Sequence, residues 1–226
     1  MRTSYRAPSM RIERTEGVAV VWLGDGPNTF DAGWVGALEA ALDEVEADGS
    51  AAGLVTAGAG RHYSNGFDLG FLGSLAGDEL GAFVARSRRV LARILTFPLP
   101  TAAALNGHAF GIGAMLALAH DRRVMRADRG WWCLPEVDLG MRLHPFMTAL
   151  VTGRLPGPTA HEALLTGRRY TGPEAEAAGV VTGVAGAGDL VAAAVTALAP
   201  FTGKPRAIVG ALKGDLYAGV TARLAD

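Results

Sequence analysis

Glu136 is the residue in this chain best dressed for proton chemistry. It sits in Trp131-Trp132-Cys133-Leu134-Pro135-Glu136-Val137-Asp138-Leu139-Gly140. A carboxyl among such large apolar groups loses hydration, which raises its pKa toward a value useful for moving protons. The bland alternative is a glutamate at a turn, facing water or paired with Arg142, which is the commoner fate of this residue type. Two glycine-rich segments could complete a site. Asn106-Gly107-His108-Ala109-Phe110-Gly111-Ile112-Gly113-Ala114-Met115 follows a strand pattern and opens a helix pattern. It lacks the Gly-Lys-Ser/Thr of a Walker loop and has Leu116 where a dinucleotide loop needs its third glycine. Its glycines let backbone approach a ligand, with N–H groups at a helix start turned outward to hold a developing negative charge. Tight packing of helix on sheet would explain them equally well. The second segment, Arg61-His62-Tyr63-Ser64-Asn65-Gly66-Phe67-Asp68-Leu69, also follows a strand, where open α/β sheets bind ligands. Ser-Asn-Gly is also good surface-turn chemistry.

Other chemistries are excluded. The five histidines are scattered and form no HExxH, so no metal site is expected. Ser64, His108 and an aspartate lack the GxSxG elbow of a hydrolase triad. His120-Asp121, at a helix end, reads as serving the C-terminal dipole. A single cysteine, Cys133, rules out an intrachain disulfide. With 21 Lys and Arg against 22 Asp and Glu, the net charge of −1 argues against nucleic-acid grip and against an anionic membrane surface. Ile94 to His120 carries no Asp, Glu, Lys or Arg, but Pro98, Pro100, Asn106, Gly107, Gly111 and Gly113 break it into soluble core rather than a membrane span. Met1 to Met10 has Arg2 and Arg6 with no apolar stretch after them, so it reads as a flexible tail, not a secretory signal. Arg223-Leu224-Ala225-Asp226 matches no retention or peroxisomal address, so a cytoplasmic protein is expected.

The elements that must position these residues alternate. The 226 residues suit one large domain with an appendage. Gly17–Leu23, Ala52–Ala57, Thr101–Leu105 and Arg123–Met125 read as strands. Asp31 caps a helix whose Trp34, Leu38, Leu42 and Val45 recur at helical spacing. Asp78–Phe97 and Gly113–His120 are further helices. The pattern predicts an α/β protein with mostly parallel strands. Beyond Pro158 the chain is mostly helical: Thr159–Thr166, Pro173–Ala178, Asp189–Leu198 and Pro205–Arg223, interrupted by a strand-like pair, Val180-Val181. The expected division is a tail over 1–10, a core over 11–157 and a helical region over 158–226.

Taken together and in order, the segments resemble the enoyl-CoA hydratase/isomerase (crotonase) superfamily. The likeness rests on Gly60 to Leu69, Pro100 to Ala109, Pro135 to Gly140, and Leu165-Thr166-Gly167-Arg168-Arg169-Tyr170-Thr171-Gly172-Pro173-Glu174-Ala175 with Ala178-Gly179-Val180-Val181. Within it the chain most resembles plant-type Δ3,Δ2-enoyl-CoA isomerases, through Ser64–Leu69, Asn106–Ala109, Leu116–Asp121 and Arg129-Gly130.

The resemblance implies a crotonase-like spiral of ββα units with a C-terminal helical oligomerisation region, assembled as a homotrimer or a dimer of trimers. The alanine- and leucine-rich run Leu190–Val195 is expected to find its apolar cover on another copy. The implied ligand is an acyl-CoA, with no separate cofactor because CoA arrives with the substrate. The backbone N–H groups of Phe67 and Ile112 would hold the thioester oxygen. Ile112, where the family usually has glycine, should narrow the pocket. Arg61, His62, Ser64, Asn65, Gly66, Asp68, Leu69, Gly111 and Met115 would line the substrate, and Lys213 could reach the CoA phosphates, though a solvated face explains it as well. Hydratases of the family carry glutamates at the positions of both Met115 and Glu136. With Met115 here, Glu136 remains as sole acid and base, enough for a 1,3-proton shift from 3-enoyl to 2-enoyl thioester through a dienolate. Alternatives are another reaction of the superfamily (hydration, decarboxylation or thioester hydrolysis) or a non-catalytic acyl-CoA-binding member.

Overall fold

The computed structural model describes residues 10–226. The tail expected over 1–10 lies outside them except for Met10, which packs against the core. β1 (Arg11–Thr15) and β2 (Val18–Trp22) form a hairpin, turned by Glu16 and Gly17 with φ of 52° and 77°. Two positive φ values in a two-residue turn match the twist of the flanking strands. From β2 the main sheet runs parallel through β3 (Gly53–Ala57), β5 (Thr101–Leu105), β7 (Arg122–Arg126) and β9 (Gly183–Ala185), giving the order β1-β2-β3-β5-β7-β9.

A second, parallel sheet of three short strands stands beside it: β4 (His62–Ser64), β6 (His108–Phe110) and β8 (Trp132–Cys133). The chain alternates between the sheets and then adds a helix. β3 and β4 lead to α2 (Leu69–Ser74) and α3 (Asp78–Leu95); β5 and β6 to α4 (Ile112–Ala119); β7 and β8 to α5 (Pro145–Arg154). This is a spiral of ββα units. Asn106 ties two of its corners together, its Oδ1 accepting from Gly58 N–H at 2.9 Å and its Nδ2 donating to Gly60 O at 2.8 Å.

Both faces of the main sheet are covered, which is why its central strands read as unbroken apolar runs. On one face lie α1 (Ala32–Ala47), α3 and α4; Asp31 caps α1 by accepting from Trp34 N–H at 2.7 Å. The other face meets α8 (Leu190–Thr196): Val18, Val20, Val55, Ala102, Ala104 and Val124 pack on Leu190, Ala194, Val195 and Leu198. The cover expected from another copy for Leu190–Val195 therefore comes from the chain's own sheet.

Three further expectations are corrected. Val180-Val181 is not a strand; both residues are buried in a bend, and the pairing with β7 begins at Gly183. Pro205–Arg223 is not one helix: α9 (Arg206–Leu216) breaks at Tyr217 and α10 (Ala218–Thr221) follows. His120 does not serve a helix dipole as a cation. Its ring is fully buried, with Nε2 3.0 Å from Thr56 Oγ1 and Nδ1 2.8 Å from Leu116 O, and burial pushes its pKa down to about 3. The remaining elements α6 (Gly157–Thr166) and α7 (Gly172–Ala177) stand close to their expected ranges.

Candidate active site

The C-terminal ends of the three short strands converge. After β4, Phe30 bridges the chain on both sides of Phe67: Phe30 N–H donates to Gly66 O at 2.8 Å and Asp68 N–H to Phe30 O at 3.1 Å. In a parallel bridge this turns the N–H of Phe67 itself the other way. Asp68 then caps α2 by accepting from Phe71 N–H at 2.8 Å. Ser64 Oγ fixes the loop from beneath, donating to Asn28 O at 2.7 Å and accepting from Gly66 N–H at 3.4 Å. After β6, Gly111 adopts φ +53° and α4 starts at Ile112, whose N–H has no intrahelical acceptor. Among the described residues, neither Phe67 N–H nor Ile112 N–H donates to any acceptor. The two loops abut: a Cβ built on Gly66 would stand 3.9 Å from Ile112 N.

β8 delivers the third group. Pro135–Val137 is a single 3-10 turn, closed by Asp138 N–H donating to Pro135 O at 3.0 Å, and Met141 N–H donates to Glu136 O at 2.9 Å just beyond it. The Glu136 carboxyl faces Gly111, its Oε1 3.2 Å from where a Cβ on that glycine would lie. Its Oε2 is buried without a hydrogen-bond partner. Burial raises the Glu136 pKa above the ordinary glutamate value, and a hydrogen bond from backbone opposes this only in part.

These groups open on one cavity of about 500 Å³. Of the residues expected from sequence, Asn65, Gly66, Phe67, Leu69, Gly111, Ile112 and Glu136 line it. Among the described residues, Glu136 is its only acidic wall residue. The apolar walls escaped the sequence reading: Leu72, Leu80 and Val84 from α2 and α3, and Leu139, Met141, Leu143 and Met147 from α5 and the segment before it. Pro145 at the first turn of α5, with Phe146, Met147, Leu150 and Val151 buried behind it, is a helix signal that would have found the second wall.

The other expected residues stand outside the cavity. Ser64 and Asp68 hold the loop and the α2 cap. Met115 is fully buried in α4 and faces the core. Arg61 and His62 do not line the cavity, and Arg61 lies instead in a separate surface pocket with His108, Arg129 and Trp131. The His62 and His108 rings are 5.4 Å apart, and the Arg169 guanidinium sits 5.3 Å from the Trp131 ring. Burial first, then neighbouring charges including Arg61 and Arg129, holds both imidazoles below their usual pKa. Lys213 is turned inward, donating to Leu99 O at 2.8 Å and Asp121 Oδ2 at 2.5 Å. No group of three or more His, Cys, Asp or Glu among the described residues could hold a metal ion. No described helix is long and apolar enough to cross a membrane.

Two sheets joined in a ββα spiral, with paired loops at the ends of the short strands, define the crotonase fold. The family model described as enoyl-CoA hydratase/isomerase matches residues 13–226, and the chain belongs to that family. It is 36% identical over 170 residues to a peroxisomal enoyl-CoA delta isomerase 2 of Arabidopsis thaliana, covering 72% of this chain and 70% of that protein. It is 42% identical over 136 residues to enoyl-CoA delta isomerase 3 of the same plant, spanning 58% of this chain and 57% of the relative. Among solved structures, a probable enoyl-CoA hydratase from Mycobacterium tuberculosis superposes with a TM-score of 0.88 at 27% identity, covering 96% of this chain and 91% of that one. Human mitochondrial delta3-delta2-enoyl-CoA isomerase shares the fold, with a TM-score of 0.87 at 22% identity over 96% of this chain and 86% of that one.

Proposed function

We propose that the chain is an acyl-CoA isomerase that moves a 3-enoyl double bond to the 2-enoyl position. The thioester oxygen sits between the Phe67 and Ile112 N–H groups. Glu136 takes a proton from the α-carbon, the electron pair delocalises into a dienolate whose oxyanion the two N–H groups stabilise, and the same carboxyl returns the proton at the γ-carbon. One such donor is worth about 2.7–4 kcal/mol where it has been removed from other enzymes. The observation that carries this reading is the Glu136 carboxyl: buried, with a bare Oε2, against Gly111, and the one acidic group on the cavity wall. Hydration takes two acid/base groups, and Met115 offers no second. The names of the Arabidopsis relatives agree. The substrate carries its own CoA, so the proton shift calls for no cofactor.

The active form is proposed to be a homotrimer or a dimer of trimers built through the helical region. Support comes from α9, where Ile208, Leu212 and Leu216 recur every fourth residue and are 57–71% exposed. The test of function is incubation with 3-enoyl-CoA and 2-enoyl-CoA, following isomer and hydrate separately. Isomer without hydrate is expected; fast hydration of 2-enoyl-CoA would overturn the assignment.

A further inference from the structure

Away from Asn65 and Glu136 the cavity is walled mostly by apolar groups, yet two further side chains break the pattern. Arg142 and His144 both line it. His144 Nδ1 accepts from Phe146 N–H at 3.1 Å, at the head of α5. That fixes the ring hydrogen on Nε2, which has no acceptor among the described residues. The Arg142 guanidinium likewise makes no hydrogen bond and no ion pair among them. A third cation stands behind. Arg88 lies one turn beyond Val84 on α3, its Nε is buried without a partner, and its charge, after burial itself, depresses the His144 pKa. The carboxylate facing His144 is Asp226, which is already paired with Arg223 at 3.3 Å.

The position of this corner follows from α3. The Phe83 ring packs on Phe67 and Phe71, at centroid distances of 6.1 and 5.0 Å, so that part of α3 lies beside the Phe67 loop. Arg88 is five residues further along, about 7.5 Å at the helical rise. The polar corner is therefore displaced from the Phe67 loop along the helix.

An apolar cavity that offers unpartnered donors and positive charge selects a ligand with an oxygen acceptor at that point. Resting on the isomerase reading, we infer that the preferred substrates are acyl-CoA thioesters whose chain carries a carboxylate at its far end, held by Arg142 and His144. A carboxylate entering an apolar cavity without partners is strongly rejected, so the partners must be there for such a chain to bind at all.

The test compares dissociation constants of saturated, unreactive pairs of equal length, monocarboxylic acyl-CoA against the dicarboxylic monothioester, at six, eight and ten carbons. The variants are Arg142→Met and His144→Asn; asparagine keeps a cap for α5 but is too short to reach into the cavity. Wild-type protein is expected to bind the dicarboxylic thioester of best length at least as tightly as its monocarboxylic partner. Each variant should move that ratio at least about tenfold toward the monocarboxylic chain, the scale of one hydrogen bond to a charged group. The inference is overturned if wild-type protein prefers the monocarboxylic chain at every length, if both variants leave the ratio unmoved, or if neither thioester binds. Isomerisation of a plain 3-octenoyl-CoA by the same preparation reads the underlying activity separately. Turnover without carboxylate preference overturns this inference alone; no turnover of any enoyl-CoA overturns the reading on which it rests.

Discussion

Replacing Gly111 with alanine should damage catalysis out of proportion to stability, and the fold supplies its own control. Gly111 (φ 53°, ψ −125°) and Gly77 (φ 55°, ψ −125°) have nearly the same backbone, and each caps the start of a helix. An L side chain in that region costs about 1–3 kcal/mol. For a domain of this size that lowers Tm by about 2–12 °C in either variant. The surroundings differ. Nothing lies within 4 Å of a Cβ at Gly77, whereas at Gly111 the new methyl stands 3.2 Å from Glu136 Oε1, tight enough to displace the carboxyl by a few tenths of an ångström. Strain at Gly111 also reorients the N–H of Ile112, the next residue. Loss of one oxyanion donor costs about 10²–10³-fold in kcat. Steady-state isomerisation of a 3-enoyl-CoA, with Tm measured on the same samples, should show both variants destabilised alike but only Gly111→Ala slowed, by about 10²-fold or more. If Gly111→Ala keeps the kcat of Gly77→Ala, the juxtaposition of Glu136 and the Ile112 N–H has no part in catalysis.

Three other outcomes are expected. Glu136 must begin ionised to take a proton, and burial raises its pKa, so kcat/KM should fall as pH drops through a value above the ordinary 4.5; an acid limb at or below 4.5 contradicts the buried base. Light scattering at micromolar concentration should show an oligomer for the wild type, and Leu212→Glu, a charge in the middle of the exposed α9 stripe, should yield monomer; a monomeric wild type refutes that assembly. Met115→Ala should cost about 2–5 kcal/mol in denaturant unfolding, because the side chain is fully buried, while kcat falls far less than in any variant of Glu136.

What the sequence revealed and concealed follows from the range of the forces involved. Val18–Trp22 and α1 were legible because β-branched runs, helical spacing and the Asp31 cap are local signals. The small sheet was not, because its strands are only two or three residues long and owe their pairing to the corners that Asn106 ties. Glu136 stood out through its apolar neighbours in the chain itself. The walls around it did not, since Leu80 and Val84 come to share a cavity with Met141 and Met147 only when α3 and α5 both pack on α4. His120 defeats local reading because the sequence places it at a helix end, where water is expected, whereas Thr56 of β3 and full burial make the ring a neutral hydrogen-bonding group. Lys213 shows the same limit: its ammonium is engaged by Asp121 and Leu99 O, residues more than 90 positions away.

The most direct test of the account is the rate of Glu136→Gln. Glutamine keeps the size and much of the hydrogen bonding of the side chain but cannot exchange a proton. If Glu136 is the one acid and base, single-turnover isomerisation of 3-enoyl-CoA should fall by at least the roughly 10²–10⁴-fold that such a group supplies, with acyl-CoA affinity little changed because the Phe67 and Ile112 loops and the apolar walls remain. Near-full isomerase activity in Glu136→Gln would contradict the mechanism outright and transfer the proton to another group, with His144, which also lines the cavity, the first to examine.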